Sequence, residues 1–334
     1  MLHAKITGLG HALPDHIVTN HDLAQVYDTS DEWITQRTGI SQRRHSETET
    51  TGDLATRAAR EALRMSGRES VSAVVLATAT PDYRCPGTAP SVAAKLGLED
   101  VPAFDVSAVC SGFVYALSVG ASLVETGRFE SVLVIGAETF STILDPADRT
   151  TGAIFGDGAG ALLLERSLTR EPGTIGSATL GSNGNQADLI QIPGGGSAAA
   201  IAGADASPYF QMQGAAVFLD AVTRMEAAVR DVVDAEGWHL EDIDALVPHQ
   251  ANVRIINALA KQLDLPPEKA VVNIADLGNT SAASIPLALA QGSAAGRFQA
   301  GDRLILAAYG GGTTWGAIAL TWPNFTSTTT APSN

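Results

Sequence analysis

Two cysteines occur in 334 residues, and Cys110 stands in "FDVSAVCSGF" (104–113), where an apolar strand gives way to small residues. Such a cysteine is either a small buried hydrophobe or, at a helix start whose amides face it, a reactive thiol of lowered pKa. His249, in "VPHQANVRI", follows an apolar strand directly, and Asn279 sits in "LGNTSAAS". A thiolate can carry a covalent acyl group, and a helix N-terminus and an imidazole both help to stabilise it. An asparagine amide donates hydrogen bonds but has no usable proton to lose, so it cannot be a base. Together the three suit acyl transfer: the thiolate takes an acyl group while two donors hold a negative carbonyl oxygen. The glycines of "YGGGTTWG" (309–316) add backbone amides, a candidate oxyanion hole with the amide of Cys110. Read singly, each residue has a plainer role as core thiol, structural imidazole or turn amide. The chemistry exists only if the fold brings them together.

The elements around them predict how that happens. "VSAVVLATAT" (71–80) and "SVLVIGAE" (131–138) read as strands buried on both faces. Helical patterns alternate with them: "DLATRAAREALRMSG", capped by Asp53 and Gly67, and "SGFVYALSVGASLVETG" (111–127), whose small side chains suit a helix buried between layers. Alternation of this kind gives an α/β fold with mainly parallel or mixed sheets. A repeat is also visible, since "ETGRFESVLVIGAE" and "AAGRFQAGDRLILAAYG" share Gly-Arg-Phe before an apolar strand. A shift of 169 residues (296 − 127) superposes Gly127 on Gly296, carries Cys110 onto Asn279 and Thr80 onto His249. A duplicated α/β unit would bring Cys110, His249 and Asn279 to one place beyond the carboxyl ends of equivalent strands.

Composition narrows the partners. Hydrophobic residues at 45% fill a core, and a formal net charge of −15 repels nucleic acid and anionic membrane, so an anionic partner needs a local basic patch. Two cysteines make no disulfide framework, which points to a reducing cytoplasm. No apolar run reaches a membrane span of roughly 18 residues, and "MLHAKITGLGHALP" has no signal-peptide pattern. The polar tail "FTSTTTAPSN" reads as disordered. "PGGGSAAAIAGADASP" (193–208) reads as a flexible surface loop over the entrance. "GDGAG" (156–160) is followed by a strand and fails the context test for a phosphate loop. His11, His16 and His21 are five apart, which gives no helix face for a metal.

The motifs "DTSDEWITQRTGI", "VCSGF", "IFGDGAGA", "VPHQANVRI", "GNTSAAS" and "YGGGTTWG" resemble, in order, those of the β-ketoacyl-acyl carrier protein synthase III family. The resemblance runs from about residue 3 to residue 323. It implies a thiolase-like five-layer αβαβα fold of two duplicated halves with mixed sheets. The halves would be 1–168, carrying the nucleophile, and 169–324, carrying His249 and Asn279, before a tail at 325–334. It also implies a cytoplasmic homodimer that condenses an acyl-coenzyme A primer with malonyl-acyl carrier protein, with loss of carbon dioxide. Both are substrates, so neither cofactor nor metal is expected.

Carried onto this chain, the resemblance makes Cys110 the acylated nucleophile, His249 and Asn279 the donors to the malonyl carbonyl, and Gly311 an oxyanion amide beside that of Cys110. Trp33 would stack on the adenine of coenzyme A, with Arg37 and Arg149 near its nucleotide end and Phe155 lining the pantetheine channel. Arg254 and Lys261, seven apart on one helix face, would meet the acidic carrier protein. Cys85 in "TPDYRCPGTAP" would floor the partner subunit's acyl pocket. The plainer readings are a packing Trp33 behind a capping box Thr29-x-x-Glu32, a solvated Arg254 and Lys261, and a Cys85 that is a small buried hydrophobe.

Among rival activities, a thiolase needs a second cysteine near the last glycine run, and "AAYGGG" has none. An elongating synthase would carry a second histidine where Asn279 stands. A non-decarboxylating acyltransferase of the same family and a non-enzymatic carrier-binding scaffold remain as alternatives.

Overall fold

The computed structural model describes residues 1–203 and 205–325, so 326–334, most of the tail expected to be disordered, lies outside the described residues. Five strands form the first sheet: β1 (His3–Ala12), β2 (Ala73–Ala77), β3 (Ala103–Val106), β4 (Ser131–Glu138) and β5 (Gly158–Ser167), in the order β1-β5-β4-β2-β3. Four form the second: β6 (Ile175–Ser182), β7 (Ala245–Pro248), β8 (Arg303–Gly310) and β9 (Thr314–Thr321), in the order β7-β8-β9-β6. Read from β6, the second sheet repeats the first. Its β6/β9 and β9/β8 pairs are antiparallel like β1/β5 and β5/β4, and β8/β7 is parallel like β4/β2. The chain beside β7 contributes only a parallel bridge, Leu246 to Ala270, where the first sheet has β3.

Six helices matter here: α1 (Asp31–Thr38), α2 (Thr51–Ser66), α3 (Gly112–Glu125), α4 (Gly214–Glu236), α5 (Val253–Gln262) and α6 (Ser284–Ala294). Helices α3 and α6 lie between the sheets, α2 covers the outer face of the first and α4 that of the second. That makes five layers. The central core joins Phe113, Val114 and Leu117 of α3 to Val134 of β4, Leu306 of β8 and Ile285 of α6. Every residue of β4 is buried, which accounts for its unbroken apolar run. A helix of small residues lets the layers close up: a Cβ added at Gly120 would stand 2.6 Å from Val134. That approach offsets the roughly 0.5–1 kcal/mol that a mid-helix glycine costs.

The duplication is real, but its register differs from the one the sequence pattern gave. The tight turn Val109–Ser111 corresponds to Ser281–Ala283 (281 − 109 = 172), and the same shift carries Gly112 onto Ser284, Ala73 onto Ala245 and Ser131 onto Arg303. Val109 and Ser281 even share a positive φ, 46° and 47°. Cys110 is therefore equivalent to Ala282, not to Asn279. The shift of 169 holds at Gly127 and Gly296 because α6 has 11 residues against 14 in α3. The loop after it restores the difference.

Helix ends also moved. Thr50 caps α2 in a full capping box with Asp53 three residues inside, so Asp53 is the box partner and not the cap. Gly67 ends that helix in the left-handed conformation as expected. Ser30, one residue beyond Thr29, caps α1 by accepting from the Trp33 amide. The segment 193–208 contains a short helix, Ser197–Ala202, within what read as loop. His11 pairs with Glu61 and His16 with Glu47, so these histidines meet carboxylates rather than each other.

Candidate active site

The strained turn that carries Cys110 is the centre of the site. A positive φ at β-branched Val109 costs about 1–3 kcal/mol and persists only where the surroundings enforce it. Enforcement comes from β8 and β9. The Ser111 hydroxyl donates to Ala108 O at 2.9 Å and lies 2.8 Å from Thr314 Oγ1. A Cβ at Gly310 would stand 2.8 Å from both the Cys110 and Ser111 nitrogens, so only glycine fits at that strand end. Gly311, buried, packs against Val109, where its own Cβ would lie 3.2 Å from a Val109 methyl.

His249 follows β7 and is held by its amide, which donates to Ala307 O at 2.8 Å. Its Nδ1 lies 2.6 Å from Ser284 Oγ at the start of α6. Burial pushes the imidazole down to about 3, so it is neutral at physiological pH. Fully buried Gln250 fixes the strand exit by donating to Pro248 O and Val271 O. Asn279 pairs with the 154–156 segment: its amide donates to Ile154 O, and its carbonyl accepts from Gly156. Its side-chain Oδ1 accepts from the Ser281 amide at 2.9 Å. That bond fixes which end of the amide is which and leaves Nδ2 for the cavity.

Cys110, His249 and Asn279 line one cavity, together with Phe155, Phe210 and Tyr309. Phe155 stacks on Phe140 with centroids 4.2 Å apart and meets Phe210 edge-on at 5.1 Å. Tyr309 donates to Asp220 of α4 at 2.8 Å, which locks its ring in place. Fully buried Arg43 donates to Ala153 O and Asn20 Oδ1 and so steadies the chain that leads into Phe155. Burial lowers it to about 10, which leaves it charged.

The helix start does not make Cys110 an acidic thiol. Burial pushes it up to about 12, the nearby Ser281 hydroxyl only partly opposes the rise, and the Glu138 carboxyl group adds to it. The expectation of a lowered pKa is corrected on that ground. The resting residue is a thiol.

Outside the cavity, the Arg37 guanidinium lies 4.6 Å and that of Arg149 5.3 Å from the centre of the Trp33 ring. Trp33 also packs on the cluster of Val18, Ile34 and Ala153, so packing and ring presentation coexist. Arg254 donates to Gln36 O at 2.7 Å and Asn252 to Arg37 O at 3.0 Å, so the start of α5 clasps the end of α1. Arg254 and Lys261 are exposed on α5. Cys85 is exposed and does not line the cavity of its own chain, so the buried-hydrophobe reading fails.

Residues 104–184 match the family model for 3-oxoacyl-[acyl-carrier-protein] synthase III, and residues 233–322 match the model for its C-terminal part. β-Ketoacyl-[acyl-carrier-protein] synthase III 3 of Streptomyces coelicolor is 53% identical over 324 residues, 95% of this chain and 97% of that protein. The chain belongs to the synthase III family. The crystal structure of 3-oxoacyl-(acyl carrier protein) synthase III from Pseudomonas aeruginosa superposes with a TM-score of 0.92 at 50% identity, covering 96% of this chain and 99% of that one. The priming β-ketosynthase of the R1128 polyketide pathway gives 0.90 at 33% identity, covering 96% of each. Family membership makes the protein an acyl-transferring condensing enzyme of the thiolase fold. The quoted sequence stretches contain Glu138, Ser281, Ser284 and Tyr309 but assign them no role, and all four touch this site.

Proposed function

We propose that the protein catalyses a two-step decarboxylating condensation, with Cys110 first acylated by an acyl-coenzyme A primer and malonyl-acyl carrier protein then extending it. One observation carries this reading. Cys110, His249 and Asn279 face one cavity, and both donors are tied at one end by hydrogen bonds that leave the other end free. With Ser284 donating to Nδ1, the His249 Nε2 keeps its hydrogen, and with Asn279 Nδ2 it holds the malonyl thioester oxygen as carbon dioxide leaves. The amides of Cys110 and Gly311 serve the oxyanion of the acylation and condensation steps. No resident cofactor is needed, since the thioesters bring the activated groups.

Trp33 with Arg37 and Arg149 suits a stacked adenine and its phosphates, and Phe155 an apolar pantetheine arm. Arg254 and Lys261 give a chain of net charge −15 a basic face for an acidic carrier. The free edge of β3, with Phe104 39% exposed, suits pairing with a second copy. In such a homodimer Cys85 reaches the partner's acyl pocket. A catalytic thiol fits a reducing cytoplasm, and among the described residues no helix is long and apolar enough to cross a membrane.

The test is incubation with acyl-coenzyme A and malonyl-carrier protein. Condensation releases carbon dioxide with coenzyme A, whereas coenzyme A without carbon dioxide means plain acyl transfer. No acyl-enzyme at all would mean a scaffold. In the same assay Lys261→Glu should raise KM for malonyl-carrier protein severalfold and leave primer loading unchanged, with the difference shrinking as salt screens the contact. Equal effects on both substrates would remove Lys261 from docking. Arg254→Glu is the less clean probe because it also cuts the tie to Gln36. A small Cys85 leaves room beyond acetyl, so Cys85→Phe should lower kcat/KM for butyryl- relative to acetyl-coenzyme A by about tenfold, the worth of one or two methylenes. An unchanged ratio would take Cys85 out of the pocket.

A further inference from the structure

Glu138, at the end of β4, is fully buried and has no part in the reaction as set out above. Its carboxyl group is surrounded by donors. Ser281 Oγ donates to Oε1 at 3.0 Å, Thr80 Oγ1 to Oε2 at 2.7 Å, and the Ala79 amide reaches both oxygens at 3.1 Å. Thr78 and the Ala282 amide lie further off, at 3.3 and 3.4 Å. The groups acting on it are these hydroxyls and amides, with no cation among them. On its other side the turn that carries Ser281 packs against the turn that carries Cys110, and the Ser281 hydroxyl lowers the thiol's pKa while Glu138 raises it. One hydroxyl therefore stands between two buried acids.

We propose that Glu138 stores the proton of Cys110 and that the Ser281 hydroxyl relays it. The idea rests on Cys110 being the acylated nucleophile. In acylation the S–H bond breaks as the S–C bond forms. Ser281 passes its own proton to the Glu138 carboxylate and takes that of the thiol, and coenzyme A leaves as thiolate and is protonated by solvent. In condensation the carbanion displaces Cys110 as thiolate, and the stored proton returns through Ser281 to the sulfur. Throughout, the two acids hold one negative charge or none between them, never two. Burial lifts Glu138 to about 7, matched to a base at physiological pH, whereas His249, near 3, cannot hold the proton.

The test is alkylation of Cys110 by iodoacetamide across pH, followed on the Cys110 peptide by mass, beside single-turnover acylation by acyl-coenzyme A. Alkylation needs no natural substrate, so it reports on the relay even if the proposed primer is wrong. In the wild type the thiolate paired with protonated Glu138 becomes more populated as Glu138 loses its proton from the fully protonated pair. Alkylation and acylation should both rise with pH to a plateau above about 7. Glu138→Gln and Ser281→Ala should lose that inflection and rise steadily with hydroxide, and acylation by Ser281→Ala at pH 7 should fall about 100-fold or more. Unfolding of Glu138→Gln leaves the decision with Ser281→Ala, whose circular dichroism and melting report its fold. A folded Ser281→Ala with the wild-type pH profile would overturn the relay.

Discussion

Replacing Cys110 by alanine should abolish the acyl mass increment that acyl-coenzyme A gives the wild-type protein, while Cys85→Ala should still become acylated. The expected loss is complete, because alanine offers no atom to carry the acyl group. The swap is small and the site is buried, so the fold should hold: the turn is fixed by Ser111, Thr314 and Gly310 rather than by the thiol. Intact mass measured before and after exposure decides it. Acylation of Cys110→Ala at the wild-type level would place the nucleophile elsewhere.

The second large effect separates the two half-reactions. Asn279→Ala should load Cys110 normally but release carbon dioxide from malonyl-carrier protein about 100- to 1000-fold more slowly, the usual cost of one donor to a developing oxyanion. The reason is local. Asn279 Oδ1 is already spent on the Ser281 amide, so only Nδ2 is available to a ligand. Carbon dioxide release measured on the pre-acylated enzyme isolates that step. An unchanged rate would remove the amide from catalysis, and an equal loss of loading would mean that the turn at 281 had shifted.

Much of this site was legible because its residues sit where patterns change. Cys110, His249 and Asn279 each follow an apolar stretch and precede small or helical segments, and β4 was read to the residue at Ser131–Glu138. Glu138 escaped notice because a charged residue at a strand end usually reaches water. The 78–80 segment and the 281–283 turn, both distant in sequence, together close that exit. Ser281 and Ser284 were hidden among small residues whose hydroxyls find partners more than thirty positions away. The thiol's pKa was misjudged for a related reason, since helix-start geometry is local but burial is set by both sheets. The register of the repeat went wrong because Gly-Arg-Phe marks a helix end, and α3 and α6 differ in length.

The shift that relates the halves also relates Glu138 to Gly310 (310 − 138 = 172). Each strand end touches the turn of the opposite half: Glu138 meets Ser281 and Ala282, and Gly310 meets Cys110 and Ser111. The contacts are crossed, like clasped hands. At one crossing the strand end supplies a carboxyl group. At the other it supplies bare backbone, because any side chain there would collide with the nucleophile's amide. Duplicated positions have thus become specialists, and neither half owns a complete set of tools. Exchanging one half for that of a relative would replace a seat and, with it, the strand end that serves the opposite seat. Chimaeras joined near residue 170 must therefore be matched at both crossings at once.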